Sequence, residues 1–141
     1  MNYRDILRTQ LSTDEGYRES AYQDSLGYWT IGIGHLIDGR KGGKLSRDVI
    51  LLIFAEDVFH AEAGAHRLLP NFDDLSDKRK AVVINMVFQL GEDGLGAFHN
   101  TLQAIQEGRW DDAADHMLSS KVAQEQTPER WLRHAQNMRE G

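Results

Sequence analysis

Residues 81–88, AVVINMVF, are apolar at nearly every position. A helix over 78–90, with Asp77 as its cap, has little to offer water, so the pattern predicts a buried central helix. The chain has enough material to cover it. Its 141 residues fit one domain, 1–141, large enough to bury a core without disulfides or metals. There is no cysteine, which excludes thiol catalysis and cysteine-ligated zinc. The formal net charge is −6 and neither half is basic, so binding nucleic acid through phosphate neutralisation is not expected.

Other elements follow from spacing and punctuation. Tyr3, Ile6, Leu7 and Leu11 recur at helical intervals and predict an amphipathic helix over 2–12. The segment 15–43 holds seven of the 13 glycines. Its GYWTIGIGH stretch sets aromatic and β-branched residues between them, which suits short twisted strands and tight turns. Residues 38–44 read as a loop. Ser46 is a good N-cap for a long helix towards Leu69, stopped by Pro70, with Val49, Ile50, Ile53, Phe54 and Val58 as its apolar stripe. Beyond Gly91, shorter helices are expected over 93–97, 99–107, 109–118 and 128–137. The class is α+β: a small β-containing lobe (13–45) joined by a long helix (46–69) to a mostly α-helical lobe (70–141 with 1–12). Such an arrangement favours a cleft for a polymer substrate.

The N-terminal MNYRDILRTQL is broken by Arg4, Asp5 and Arg8, and the longest apolar run, Val49 to Ala55, is too short to span a bilayer. Neither a signal peptide nor a membrane anchor is expected.

Glu15 closes the first helix before a glycine, Asp24 follows nine residues on, and Thr30 lies within TIGIGH. Glycoside hydrolysis needs a carboxylic acid for the leaving oxygen and a polar partner across the sugar ring. Glu15 could supply the first and the hairpin the second. With 22 acidic residues such pairs are common, and a solvated helix-end carboxylate is the plainer reading of Glu15. Thr30 also reads simply as a β-branched strand former.

Residues 14–35, DEGYRESAYQDSLGYWTIGIGH, resemble the active-site segment of the phage-type lysozymes, the T-even bacteriophage lysozyme family. Glu15, Asp24 and Thr30 meet its Glu-x8-Asp-x5-Thr pattern, and Tyr22, Gly27, Tyr28, Gly32, Gly34 and His35 match around them. The stretch AVVINMVFQLGEDGLGAF from Ala81, RWDDAA from Arg109, and QTPERW ending at Trp131 extend the likeness. The resemblance implies a lysozyme-like fold and an endolysin-type muramidase, cleaving the β-1,4 bond between N-acetylmuramic acid and N-acetylglucosamine with inversion. Glu15 would be the general acid, partly buried so as to keep its proton. Asp24 and Thr30 would handle the water.

By the same resemblance His35 and Asp57 form a structural ion pair, and Leu36, Phe88, Thr101 and His116 contact the glycan. Thr101 stands in place of a serine and His116 in place of an asparagine. Gln89 is expected to hydrogen-bond across the cleft and to help hold Glu15. Core packing is the other reading of Phe88, and Trp110 and Trp131 read as core. The other histidines lack metal-ligand spacing, so no metal and no cofactor is expected. The expected setting is a monomer in the host cytoplasm before lysis, reaching the periplasmic wall once a holin-like partner opens the membrane. Two other functions fit the scaffold: a lytic transglycosylase, and a non-catalytic peptidoglycan-binding module.

Overall fold

A computed structural model describes residues 2–33, 35–37 and 44–141, with the backbone alone at Tyr3 and Leu7. Apart from Lys44, the loop expected over 38–44 lies outside these residues, as does Gly34. The class is α+β, as the sequence implies: among the described residues there are helices and one three-stranded antiparallel sheet. The chain forms two compact units, Met1–Leu52 and Ile53–Gly141.

In the first unit, α1 (Tyr3–Glu15) begins where the Asn2 side chain accepts the N–H groups of Arg4 and Asp5, at 2.9 and 3.1 Å. It runs three residues past the expected end. The Thr9 and Thr13 hydroxyls return to the carbonyls of Asp5 and Thr9, at 3.1 and 3.0 Å, so residues that normally compete with helix are absorbed by it. The sheet has the order β1 (Arg18–Gln23), β2 (Trp29–Gly32), β3 (His35–Leu36). Central β2 pairs Thr30 with Tyr22 on one side and with Leu36 on the other. The Arg18 guanidinium lies over the Tyr22 ring, 5.1 Å from its centroid.

Helix α2 (Arg47–Leu68) begins in the first unit and ends in the second. Its Ser46 cap is as expected, with the hydroxyl accepting the Val49 N–H at 3.4 Å. Its buried face is not. Ile50, Ile53 and Phe54 are exposed, and the buried positions are Ala61, Gly64 and Ala65. Small residues win there because the next helix, α3 (Asp77–Gly96), comes close: a Cβ on Gly64 would meet Val87 Cγ1 at 3.3 Å.

The second unit carries the main core. In α3 (Asp77–Gly96) the cap is Ser76, whose hydroxyl accepts the Arg79 N–H, and not the expected Asp77, which falls in the first turn. There its charge meets the positive end of the helix dipole. Val82, Val83, Met86 and Val87 are buried, whereas Ala81 and Phe88 face outward, so AVVINMVF is buried on one broad face rather than all round. Gly91, at φ 76° and ψ 166°, interrupts the helix; the expected 93–97 segment is its continuation. Arg67 clamps that continuation to α2 through two bonds to Glu92, 2.8 and 2.7 Å. Its guanidinium holds the Glu92 carboxyl below the usual range.

There follow α4 (His99–Gln106), α5 (Trp110–Leu118), α6 (Lys121–Glu125) and α7 (Pro128–Glu140). The five-residue α6, capped by Ser120, was not anticipated. Trp131 is fully buried, and Trp110 is partly buried beneath the Arg79 guanidinium, 3.8 Å from its ring centroid. Trp131 is thus a core residue, as the sequence suggests, while Trp110 packs against the core from its edge. Among the described residues no helix is long and apolar enough to cross a membrane.

His134 in α7 is 3% exposed, and among the described residues its Nε2 has no hydrogen-bond partner. Burial, with Arg130 and Arg133 nearby, pushes its pKa down to about 4. Above the unfolded value of about 6.5 both states are neutral and stability is complete. As pH falls from there towards 4, the unfolded chain gains a proton that the folded chain refuses, so stability is lost. Urea unfolding should show the wild type losing about 2 kcal/mol more between pH 7 and 4.5 than His134→Leu does. Equal losses would mean that this imidazole charges without penalty.

Candidate active site

The three residues of the Glu-x8-Asp-x5-Thr pattern all lie in the first unit. Glu15 is the last residue of α1, where Gly16 turns the chain and donates its N–H to the Ser12 carbonyl at 3.1 Å. Its side chain is exposed, contrary to the partial burial expected of it. Its chain neighbours Thr13, Asp14 and Tyr17 are exposed as well, so these described residues do not shield the carboxyl.

Asp24 follows β1 and organises the turn into β2. Its N–H donates to the Tyr28 carbonyl at 2.8 Å, and its own carbonyl accepts the Gly27 N–H at 2.9 Å. Its Oδ1 accepts two further N–H groups, from Leu26 and Tyr28, each at 2.9 Å. Among the described residues Oδ2 has no partner. One carboxylate oxygen is therefore anchored to the backbone while the other stays available.

Thr30 sits on the central strand and is 6% exposed. Its hydroxyl donates to the Tyr28 carbonyl at 3.3 Å. The single hydroxyl proton is thereby committed, and the oxygen is left able to accept. The backbone of Tyr28 is thus bonded to both Asp24 and Thr30. Sequence reading missed this role, although Asp-x-x-Gly at 24–27 is a recognisable turn signal.

The remaining predicted residues are distributed as follows. His35 and Leu36 lie exposed on β3 in the first unit. Asp57 lies in the second, lining a pocket of about 500 Å³ with His60, Arg67, Phe88 and Glu92. Phe88 is 48% exposed and also borders an apolar hollow of about 440 Å³, where its ring lies 6.4 Å from that of Phe54. Buried Thr101 and exposed His116 share another pocket, of about 570 Å³, with His99, Asn100 and Lys121. The last three were not singled out from the sequence, despite being close in the chain to Thr101 and His116. Gln89 is engaged within its own unit: its Oε1 accepts the Trp131 indole N–H at 3.2 Å, and its Nε2 donates to the Thr127 hydroxyl at 3.1 Å. Among the described residues no group of three His, Asp or Glu side chains could hold a metal ion.

The family model described as phage lysozyme matches residues 12–135. A probable T4-type lysozyme of Dictyostelium discoideum is 31% identical, with 88% of each chain covered. A peptidoglycan hydrolase of Pseudomonas phage phiKMV is 32% identical over 87% of this chain and 14% of its own length. A pre-baseplate central spike protein of Enterobacteria phage T4 is 29% identical, over 76% of this chain and 23% of its own.

Proposed function

Since the chain belongs to the phage lysozyme family and is a peptidoglycan hydrolase of the glycoside hydrolase kind, we propose that it hydrolyses the β-1,4 bond between N-acetylmuramic acid and N-acetylglucosamine with inversion. Glu15 gives its proton to the departing sugar oxygen. Asp24 and Thr30 hold the attacking water.

The observation that carries this reading is the division of hydrogen bonds around Tyr28. Asp24 spends Oδ1 on backbone amides and keeps Oδ2. Thr30 spends its proton on a carbonyl and keeps its oxygen's lone pairs. Both remaining groups are acceptors, so a water between them has both hydrogens bound and its own lone pair directed at the anomeric carbon. As that water attacks, Oδ2 takes one proton, which is general-base work. Thr30 fixes orientation only. Glu15 is exposed in the free protein, so its proton is secured by the substrate itself: a sugar ring seated against the carboxyl displaces water and disfavours the charged form.

Product analysis tests this directly. Muropeptides released from peptidoglycan should end in reducing N-acetylmuramic acid, with the anomeric configuration inverted in the first-formed product. An anhydro-sugar end would mean elimination by a transglycosylase. Binding to cell walls without release of fragments would leave a non-catalytic module. Asp24→Asn, which keeps an acceptor at Oδ1 and removes the base, should lower kcat by about 10²- to 10³-fold. Thr30→Val, which keeps the β-branched shape, should lower it by about tenfold, the loss of one orienting hydrogen bond. Wild-type turnover in Asp24→Asn would remove Asp24 from the reaction.

A further inference from the structure

We propose that Gly27 is a positioning residue for the hydrolysis, holding the backbone of Tyr28 where it can fix Asp24 and Thr30 together. The proposal rests on the reading that those two side chains handle the water. Gly27 has φ +83°, in the left-handed region that side chains with a Cβ adopt only with strain. It stands directly before Tyr28, so its torsions aim the N–H that reaches Asp24 Oδ1 at 2.9 Å. They also set the Tyr28 carbonyl, which takes the Asp24 N–H at 2.8 Å and the Thr30 hydroxyl at 3.3 Å. The Gly27 N–H itself closes the turn on the Asp24 carbonyl at 2.9 Å.

Every one of these bonds runs through a few backbone atoms, and none involves the side chains of Ser25, Leu26 or Tyr28. What the turn needs from position 27 is a backbone conformation. A methyl group there drives φ back towards negative values and swings the following N–H off Oδ1. The carboxylate then keeps only the Leu26 N–H as an anchor in place of two donors, and the Thr30 hydroxyl loses its fixed acceptor. The water-holding pair survives chemically but loses its alignment. Misplacement of a catalytic group by about 1 Å can cost up to about a hundredfold in rate.

The test is a two-by-two comparison of Gly27→Ala and Asp24→Ala on purified peptidoglycan, with Gly27→Asn beside it and amide hydrogen exchange read at Leu26 and Tyr28. Asparagine tolerates positive φ far better than alanine. The expected result is a kcat about tenfold lower in Gly27→Ala at unchanged KM, with most of it recovered in Gly27→Asn. In the Asp24→Ala background the same change should add less than about twofold, since the base it positions is gone and the water that Thr30 orients has no group to take its proton. Protection of the Leu26 and Tyr28 amides should fall in Gly27→Ala. The same factor in both backgrounds would overturn the proposal, by making Gly27 a folding residue. Full activity in Gly27→Ala while Asp24→Ala is inactive would overturn it too. If Asp24→Ala leaves too little activity to compare, retained amide protection in Gly27→Ala overturns it, and lost protection alongside lost kcat supports it. Wild-type turnover in Asp24→Ala is a different failure, that of the role assigned to Asp24.

Discussion

Glu15→Gln should release muropeptides about a thousandfold more slowly than the wild type while unfolding at the same urea concentration. The rate loss follows from the chemistry. A sugar alkoxide is a poor leaving group, and the amide N–H is far too weak an acid to protonate it. General-acid catalysis contributes about 10²- to 10⁴-fold, and a thousandfold loss is about 4 kcal/mol of transition-state stabilisation. The unchanged stability follows from the structure. Glu15 is exposed and has no hydrogen-bond partner among the described residues, and changes at such sites usually stay within about ±0.5 kcal/mol. The pairing of the two results is diagnostic, since a loss of activity through misfolding would move the unfolding midpoint. KM should change little, because glutamine keeps the shape that meets the sugar. A Glu15→Gln enzyme of wild-type rate, on clean peptidoglycan with quantified fragments, would remove Glu15 as the acid.

The sequence made the residues proposed for the chemistry visible but not the way they are held. Glu15, Asp24 and Thr30 stand out through the family resemblance alone, since acidic pairs at such spacing are common, and the structure puts all three in one compact unit. The bonds that tie Asp24 and Thr30 to Tyr28 are between side chains and backbone across a turn. Residue type alone does not specify them. Helix boundaries were legible where a cap or breaker is strong, as at Ser46 and Pro70. They were misjudged where hydroxyl residues could serve either helix or turn, as at Ser12 and Thr13. Helix α6 went unseen because five residues are too few to display a period.

The error over α2 has a different cause. Its large apolar residues Ile50, Ile53 and Phe54 promise burial by composition, yet the face that packs is Ala61, Gly64 and Ala65. Close approach of two helix backbones selects small side chains, and a hydrophobicity pattern gives those little weight. Gln89 is a milder instance. Its place beside Phe88 suggested a reach towards Glu15, while its amide is bonded to Thr127 and Trp131. An amide can satisfy many partners, so chain position does not choose between them.

Trp131 carries the largest stability effect expected in the molecule. The residue is 0% exposed, its ring stacks on Phe98 at 5.7 Å and 23°, and His134 meets it edge-on at 5.7 Å. Trp131→Ala removes the largest fully buried side chain of the core and leaves a hole that α3 and α7 cannot close without moving. Truncations of this kind cost about 3–5 kcal/mol. A second loss accompanies it, because the indole N–H is bonded to Gln89, which in turn holds Thr127 just ahead of α7. Leaving that amide oxygen without its donor adds about 1 kcal/mol. A domain stabilised by about 5–15 kcal/mol has little in reserve after such a change. Trp131→Phe separates the two contributions. It keeps the ring against Phe98 and drops the N–H, so it should cost about 1–2 kcal/mol, most of it from Gln89. The cavity should also reach His134: with water admitted beside the imidazole, Trp131→Ala should lose less stability between pH 7 and 4.5 than the wild type does. Urea unfolding of the three proteins at both pH values measures every quantity. A Trp131→Ala protein within about 1 kcal/mol of the wild type would mean that this indole does not organise the core.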